Sequence, residues 1–248
     1  MMSVSMKSVV IIPTYNELDN IDALLTELLA LPVDLSVIVV DDNSPDGTGR
    51  RADEWAACES SVQTIRRPGK LGLGTAYIAG FKRALAVDFD RILTMDADFS
   101  HHPRYISSII DLSFERDLVI GSRYVDGGGT LNCTWKRRAL SHGANAFARV
   151  MLGLRATDCT AGFRCYRRDV LSSIDLDSIF SNGYSFLIEM LYRVQREGCT
   201  VGEVPIIFED RRFGASKISK QEVYRAMVTV VRLSADRLRD KLTGKRYD

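Results

Sequence analysis

Short apolar runs that alternate with helical segments place the strongest constraint on the fold of this chain. The runs at Ser8–Ile12, Leu35–Val40 and Arg91–Met95 lack the polar alternation of a strand with one wet face. Strands of that kind are covered on both faces, as in parallel sheets flanked by helices. The segment after the first run carries leucine and isoleucine at helical spacing up to Leu29. This pattern predicts a single α/β domain with a mostly parallel sheet and right-handed crossovers.

The remaining elements are predicted from the same periodicities and from turn residues. Strands are expected at 62–65, 118–120 and 201–208, and helices at 48–58, 75–87, 136–152 and 220–242, with one more helix starting at Pro103. Asn16 or Asp19 is expected to cap the first helix. The segment Asp126–Thr130 contains three consecutive glycines, so we expect a mobile loop there.

Bulk composition excludes several classes of protein. The chain has 248 residues, of which 46% are hydrophobic and 26% charged, with a net charge of +1. These values are typical of a globular protein and give no overall field for binding nucleic acid. Five cysteines without a CxxC pair favour free thiols in a reducing compartment, and no apolar run is long enough to span a membrane. We therefore expect a cytoplasmic protein without a nucleic-acid partner.

Two pairs of carboxylates follow two of the predicted strands. Asp41 and Asp42 end the second strand, and Asp96 and Asp98 end the fourth. In a doubly wound sheet both loops open on the same edge, and carboxylates gathered there repel one another unless a cation or hydrogen-bond donors compensate. One pair would accept hydrogen bonds from a base or ribose and the other would bind a hard divalent cation. Spacing alone leaves the assignment open, as it leaves open a purely structural role in capping turns.

Glycine-rich nucleotide motifs are missing from the expected places. The first strand is followed by Pro13-Thr14-Tyr15-Asn16-Glu17 and contains no GxGxxG, which argues against a dinucleotide cofactor. The later segment Gly69–Gly74 reads GKLGLG and lacks the Lys-Ser/Thr ending of a P-loop. Its glycines and Lys70 would let the backbone approach a ligand, and the alternative is a plain flexible loop.

Eight motifs occur in one order along nearly the whole chain. They are VVIIPTYNE (9–17), VVDDNSPDGT (39–48), RPGKLGLGTAY (67–77), MDADFSHHP (95–103), GSRY (121–124), DCTAGFRCYR (158–167), GYSFLIEML (183–191) and DRRFGASK (210–217). With this set the chain resembles the inverting family 2 glycosyltransferases with the GT-A fold, and among them the dolichyl-phosphate (polyprenyl-phosphate) mannosyltransferases.

The resemblance implies a role for each matching residue. The nucleotide-sugar pocket would contain Pro13, Tyr15, Glu17, Asp42, Lys70, Gly74 and Ala97. Asp96 and Asp98 would hold Mg²⁺ or Mn²⁺, with Ser100 in the place where some relatives have a glutamine. Arg123, Arg211 and Lys217 would hold phosphates and would act with the two aspartates in catalysis. Residues 1–217 would form the GT-A domain, and 218–248 a basic amphipathic helix packed on it or extending it.

The implied reaction is inverting transfer of mannose from GDP-mannose to polyprenyl (dolichyl) phosphate, giving a β-mannosyl phosphate. Glucosyl transfer from UDP-glucose to the same lipid is one alternative, and an inactive GT-A subunit is another. Since the acceptor is a lipid, the protein is expected at the cytosolic face of a membrane, bound peripherally or through a small anchoring subunit. Trp135–Arg138 and the C-terminal helix are the candidate contacts.

Several of these residues also have ordinary structural interpretations. Arg123 could pair with Asp117 on the surface, and Arg211 and Lys217 could be solvated. Glu189 lies on an apolar helix, where a buried ion pair and a catalytic role are both open. The ordinary interpretation of His101 and His102 is that they are loop or capping residues.

Overall fold

The structure is a computed structural model, and it describes residues 6–209 and 220–242. Its centre is a seven-stranded sheet, accompanied by a separate two-stranded sheet. The strands are β1 Ser8–Thr14, β2 Leu35–Asp41, β3 Val62–Arg66, β4 Arg91–Thr94, β5 Leu118–Ser122, β6 Gly129–Leu131, β7 Arg164–Arg167, β8 Val201–Pro205 and β9 Ile207–Glu209. The predicted α/β fold with a mostly parallel sheet is confirmed.

Helices cover both faces of the central sheet. They are α1 Leu18–Leu29, α2 Thr48–Cys58, α3 Leu73–Leu85, α4 Ile106–Leu112, α5 Trp135–Leu152, α6 Arg168–Ser173, α7 Tyr184–Arg196 and α8 Lys220–Leu242. A short 3₁₀ helix, Pro103–Tyr105, leads into α4. In the part of the chain that the structure describes, no helix combines the length and the apolar character needed to cross a bilayer.

The order of strands in the sheet is β3-β2-β1-β4-β7-β5-β8. Ser8 of β1 pairs in parallel with Leu35 of β2 on one side and with Arg91 of β4 on the other. The strand order therefore reverses between β1 and β4, and the carboxyl ends of β2, β1 and β4 open on one edge. Ligands of open α/β sheets bind at such a reversal.

Apolar cores on the two sheet faces explain why the strands are apolar throughout. Val9 and Ile11 of β1 point into one cluster, and Val10 and Ile12 point into the other, all fully buried. Helices α1 and α4 cover one face, and α3, α6 and α7 cover the other. Each strand thus buries both sets of side chains, and this burial is the main stabilising contribution to the fold.

The C-terminal helix packs on the domain. Val230 and Leu233 of α8 are buried in the same cluster as Leu152 of α5 and Leu191 of α7. The helix therefore buries part of one face against α5 and α7, and it leaves Val231 and Leu238 exposed on another.

The predicted cap of α1 is wrong. Glu17 is the N-cap residue, and no side chain of its own segment caps the helix. Instead, Thr48 Oγ1 accepts a hydrogen bond from Glu17 N at 2.9 Å, and Asp46 Oδ2 accepts one from Leu18 N at 3.1 Å. The turn before α2 thus satisfies amide groups that a local cap would otherwise satisfy.

The prediction of an irregular loop over Asp126–Thr130 is wrong at its end. Gly129 and Thr130 belong to β6, which pairs in parallel with β9. Another element that the periodicity did not predict is β7, which lies antiparallel between β4 and β5. Both depend on partners distant in sequence, so no local pattern marks them.

Candidate active site

A cavity of about 430 Å³ lies at the carboxyl edge of the sheet, where the strand order reverses. Its walls include the segments after β1, β2, β3, β4 and β5, the loop before β7, helix α5 and the start of α7. Ten of the residues expected in the site line it: Pro13, Tyr15, Glu17, Asp42, Lys70, Asp96, Ala97, Asp98, Ser100 and Arg123. Tertiary folding thus gathers residues from seven of the eight motifs around one space.

One residue expected in the site is placed differently, and two more fall outside the part of the chain that the structure describes. Gly74 lies behind the cavity wall, in α3, where a Cβ atom would come within 2.9 Å of the Phe186 ring. Its small size lets α3 approach α7, and its amide donates to Asn182 Oδ1 at 3.1 Å. Arg211 and Lys217 lie outside the described residues.

The two aspartates at the end of β2 have different roles. Asp41 is fully buried and accepts hydrogen bonds from Thr14 Oγ1 at 3.1 Å and from the amide and hydroxyl of Ser44 at 3.0 and 2.5 Å. It therefore holds the turn after β2. Asp42 lines the cavity, so it is the member of the pair that faces a ligand.

Asp42 forms an ion pair on the cavity wall. Its Oδ1 lies 2.8 Å from Arg67 Nη1, and its Oδ2 accepts a hydrogen bond from Leu71 N at 3.1 Å. Burial raises the pKa of Asp42 above its usual value, although Arg67 and the loop amides act in the opposite direction. The carboxylate is thus held against the glycine-rich loop that contains Lys70.

Lys70 completes this side of the cavity. Its Nζ lies 4.1 Å from the centroid of the Tyr15 ring, within the range of a cation–π contact. The ammonium group and the ring therefore border the cavity beside Asp42. A nucleotide bound there would contact both a cation and an aromatic face.

The loop after β4 holds Asp96 and Asp98 by a set of short local bonds. Asp98 is buried, and its Oδ1 accepts hydrogen bonds from Ser100 N at 3.1 Å and Ser100 Oγ at 2.5 Å. Asp96 donates its amide to His101 Nδ1 at 3.0 Å. Its carboxylate is one-third exposed toward the cavity, and Tyr77 donates to Oδ1 at 3.4 Å. The loop is thereby fixed before any ligand binds.

The donor set of this loop fits a divalent cation shared with a ligand. Asp96 and Asp98 offer hard carboxylate oxygens, the type that Mg²⁺ and Mn²⁺ prefer. Among the described residues, no cluster of three His, Cys, Asp or Glu side chains is arranged to hold a metal. Mg²⁺ is commonly bound by one or two carboxylates together with substrate phosphates and water, so two aspartates are a sufficient protein contribution.

Arg123 also lines the cavity. Its Nε and Nη2 each donate to the Asp158 carboxylate at 2.7 Å, and its backbone amide donates to Asp158 Oδ2 at 3.1 Å. The alternative that Arg123 pairs with Asp117 is wrong, because Asp117 instead contacts Arg167. Burial would raise the pKa of Asp158, but the hydrogen bonds and charge of Arg123 outweigh it and lower that pKa.

The loop that contains Asp158 is itself anchored on two sides. Glu203 accepts hydrogen bonds from the amides of Thr157 and Asp158 at 2.8 and 3.0 Å. The buried Asn145 of α5 accepts one from Cys159 N at 2.7 Å and donates to Thr160 Oγ1 at 3.2 Å. Helix α5 is therefore tied to the loop that orients Arg123.

Further cations from the helices line the same cavity. They are Arg137 and Arg138 of α5 and Arg225 of α8, together with the neutral Ser141. We call these three arginines, with Arg123, the cationic wall. The carboxylates that line the cavity, Asp42, Asp96 and Asp98, are called the acidic rim.

Glu189 belongs to a structural ion pair. It is fully buried, its Oε1 lies 2.6 Å from Arg193 Nη2 one turn later, and its Oε2 accepts the Ser181 amide at 3.0 Å. It does not line the cavity. The ion-pair alternative is therefore confirmed for this residue, and the lining of the cavity gives no support to a catalytic role.

Sequence reasoning assigned no role to several residues that shape the site. They include Asp158, Thr160, Asn145, Glu203 and Tyr77. Asp158 and Thr160 belong to the motif DCTAGFRCYR, so the resemblance marked their segment. Nothing local distinguishes Asn145 or Glu203, whose partners are 14 and 46 residues away.

The sequence profile described as "Glycosyl transferase family 2" matches residues 9–175, about two-thirds of the chain. The chain belongs to glycosyltransferase family 2. The matched segment contains the acidic rim, Arg123 and Asp158. The predicted family is thus confirmed, and the protein is a glycosyltransferase.

Two curated relatives cover nearly the whole chain. The undecaprenyl-phosphate mannosyltransferase of Micrococcus luteus is 45% identical over 227 residues, which are 92% of this chain and 93% of the relative. The polyprenol monophosphomannose synthase of Mycolicibacterium smegmatis is 43% identical over 226 residues, 90% of this chain and 85% of the relative.

Solved structures with low sequence identity share the fold. Glucosyl-3-phosphoglycerate synthase from Mycobacterium tuberculosis, solved with Mn²⁺, UDP and glucosyl-3-phosphoglycerate, is 17% identical with a TM-score of 0.66, over 93% of this chain and 80% of that one. The mannosyltransferase PcManGT from Pyrobaculum calidifontis, solved with GDP-Man and Mn²⁺, is 15% identical with a TM-score of 0.61, over 96% and 66%.

Proposed function

We propose that this glycosyltransferase transfers mannose from GDP-mannose to a polyprenyl phosphate, with inversion at the anomeric carbon and with a divalent cation. The names of both curated relatives support the sugar and the lipid acceptor. The structure of the archaeal mannosyltransferase with GDP-Man and Mn²⁺ supports the donor and the metal. The observation that carries the proposal is the single cavity that both the acidic rim and the cationic wall line.

The acidic rim suits the donor. Asp96 and Asp98 would hold the cation, which stabilises the leaving diphosphate as a Lewis acid when bound. Ser100 donates to Asp98, so its hydroxyl orients that carboxylate and remains a candidate additional ligand. Asp42 would accept hydrogen bonds from the nucleoside, with Tyr15, Pro13 and Glu17 around it and Lys70 near the phosphates.

The cationic wall suits the acceptor. A phosphate monoester is already anionic near pH 7, so it needs no general base to act as a nucleophile. The protein must instead hold two anions close together and align the acceptor oxygen behind the anomeric carbon. Arg123, kept rigid by Asp158, and Arg137 and Arg138 would provide the compensating charge. Attack from that side and departure of GDP toward the acidic rim invert the anomeric carbon of an α-linked donor.

Arg211 and Lys217 are proposed as further phosphate ligands on the strength of the resemblance alone.

A membrane surface is the proposed location of the acceptor. Ten large apolar side chains are exposed on two neighbouring helices: Trp135, Leu140, Phe147, Val150 and Met151 on α5, and Tyr224, Met227, Val228, Val231 and Leu238 on α8. Helix α5 contains four Lys or Arg residues and no acidic residue. Exposed apolar area combined with positive charge is typical of helices that lie on anionic bilayers. We therefore propose peripheral binding on the cytosolic face, directly or with a small anchoring subunit.

Radiolabelled GDP-mannose and a short polyprenyl phosphate, incubated with the protein and Mn²⁺ and then extracted with organic solvent, test the reaction. We expect label in the organic phase with the wild type and a near-complete loss with Asp98→Asn. Proton NMR of the product should show a β-mannosyl phosphate. A preference for UDP-glucose would contradict the assigned donor, and absence of transfer from either donor would favour an inactive subunit.

Liposome flotation tests the proposed surface. Wild-type protein should float with vesicles containing phosphatidylglycerol, and the Val150→Asp/Met151→Asp double variant should float less. Phe114, which is exposed but belongs to neither helix, provides the matched control as Phe114→Asp. Equal flotation of both variants and the wild type would contradict the assignment of α5 to the membrane surface.

A further inference from the structure

The loop from Asp96 to His101 is closed by hydrogen bonds between its own residues. Asp96 N donates to His101 Nδ1 at 3.0 Å, across five residues. Within that ring, Ser100 bonds to Asp98, and Phe99 adopts a left-handed backbone with φ of 60°. A non-glycine residue rarely holds that conformation unless its surroundings enforce it. The three hydrogen bonds within the loop hold that conformation here.

The imidazole of His101 has a fixed position. Only 3% of its side chain is exposed, it stacks on Phe163 with 5.2 Å between ring centroids, and the edge of Phe208 lies at 5.6 Å. Because Nδ1 accepts the Asp96 amide proton, that nitrogen carries the lone pair and Nε2 carries the hydrogen. Nδ1 therefore accepts the hydrogen bond of the Asp96 amide, and the fixed position of Nδ1 constrains the backbone of Asp96.

We infer that His101 is a positioning residue, whose Nδ1 fixes the backbone of Asp96 so that its carboxylate faces the cavity with Asp98. This inference rests on the proposed function, in which those carboxylates hold a divalent cation. A hydrogen bond to the carboxylate itself, from Tyr77 at 3.4 Å, is long for a hydroxyl donor and constrains that carboxylate less. Groups that orient metal-binding side chains usually change metal affinity by about 10- to 100-fold when they are removed.

Two substitutions separate the hydrogen bond from the packing of the ring. In His101→Asn the amide oxygen occupies nearly the place of Nδ1, so the acceptor is kept and the ring is lost. In His101→Phe the ring is kept and the acceptor is lost. His101→Gln places its amide near Nε2 and provides a second variant without the acceptor at Nδ1.

The adjacent histidine provides a matched control. His102 Nδ1 also accepts a backbone amide, from Arg104 at 3.3 Å, but His102 does not line the cavity. His102→Phe removes a comparable hydrogen bond without touching the acidic rim. Thermal unfolding of each variant identifies those that keep the native fold.

The test is a titration of Mn²⁺ followed by electron paramagnetic resonance, with GDP present and the full chain as the protein. We expect affinity to fall at least about tenfold in His101→Phe and in His101→Gln, to stay within about threefold of wild type in His101→Asn, and to be unchanged in His102→Phe. Wild-type affinity for Mn²⁺ in folded His101→Phe would overturn this inference and leave the proposed metal intact. If His101→Phe does not fold, the same result in folded His101→Gln would do so. A loss of Mn²⁺ affinity in His101→Asn as large as that in His101→Phe would also overturn the inference. Absence of Mn²⁺ binding by the wild type would overturn the proposed metal and the inference with it.

Discussion

The acidic rim and the cationic wall each include one member of a buried Asp–Arg pair, and the two pairs differ in the pKa of the aspartate. On the acidic rim, Asp42 has one contact with Arg67, at 2.8 Å, and its pKa is raised mainly by burial. Beside the cationic wall, Asp158 receives two side-chain bonds at 2.7 Å and an amide bond from Arg123, and its pKa is lowered. Burial raises the pKa of both aspartates. The difference is that Arg123 donates side-chain hydrogen bonds to Asp158, whereas Arg67 acts on Asp42 through its charge and the neighbouring Asp41 opposes it.

The difference separates two uses of an ion pair. Asp158 accepts from both arms of one guanidinium, and the pair fixes the direction in which Arg123 points. Asp42 receives fewer contacts from its arginine than Asp158 does, which suits a carboxylate that accepts hydrogen bonds from a ligand. In the proposed reaction the cavity must hold two anions. It would do so with a rigid cation, Arg123, and with a carboxylate, Asp42, that accepts hydrogen bonds from the ligand.

Substitution on the acidic rim should have the largest effect. Asp98→Asn removes a negative charge from the proposed cation site, and we expect the rate of mannosyl transfer to fall about 10²- to 10³-fold. Extraction of labelled lipid measures it. Asp19→Asn, at an exposed position in the first turn of α1, is the control and should be neutral. Wild-type activity in Asp98→Asn would remove this residue from the mechanism.

Substitution of the two paired aspartates tests the comparison directly. Asp158→Asn leaves Arg123 buried without its counter-charge, so we expect the free energy of unfolding to fall by about 3 kcal/mol. Asp42→Asn should cost about 1 kcal/mol, because burial already disfavours the charged form of Asp42. Urea unfolding at pH 7 measures both. Equal losses would show that the side-chain hydrogen bonds from Arg123 do not distinguish the pairs.

Neutralising the cationic wall should affect the acceptor more than the donor. Arg137→Gln or Arg138→Gln removes a charge from the cavity, and we expect KM for polyprenyl phosphate to rise about tenfold, as for the loss of one charged contact. KM for GDP-mannose should stay nearly constant. Arg149→Gln, on the same helix but away from the cavity, serves as control. A parallel rise in both KM values would argue against separate walls.

The pH dependence of stability should show the smallest effect. The pKa of Asp158 is lower in the folded state than its usual 3.8, so its contribution is fully present above that value and is lost as pH falls below it. The difference in unfolding free energy between wild type and Asp158→Asn should stay constant from pH 5 to 7 and shrink near pH 3.8. For Asp42 the sign is opposite, since protonation relieves its burial. Urea unfolding at several pH values measures both differences, and a constant difference at all of them would contradict these shifts.

Local sequence patterns were sufficient for the parallel strands of the sheet and for half of the cavity. Apolar runs such as Leu35–Val40 specify buried strands, and carboxylates that follow such strands, as Asp42 and Asp98 do, lie at a known edge. Both inferences depend on residues next to each other in the chain. The acidic rim therefore follows from strand ends and from the motifs that resemble family 2.

The cationic wall needed the folded chain. Arg123 lies six residues from Asp117 and 35 from Asp158, yet it pairs with Asp158 because β7 inserts between β4 and β5 and brings the preceding loop beside the end of β5. Side chains pair with whatever the topology places within reach. Separation along the chain does not encode that proximity, so the partner of Arg123 and its anchoring by Asn145 emerge only when the strands are assembled.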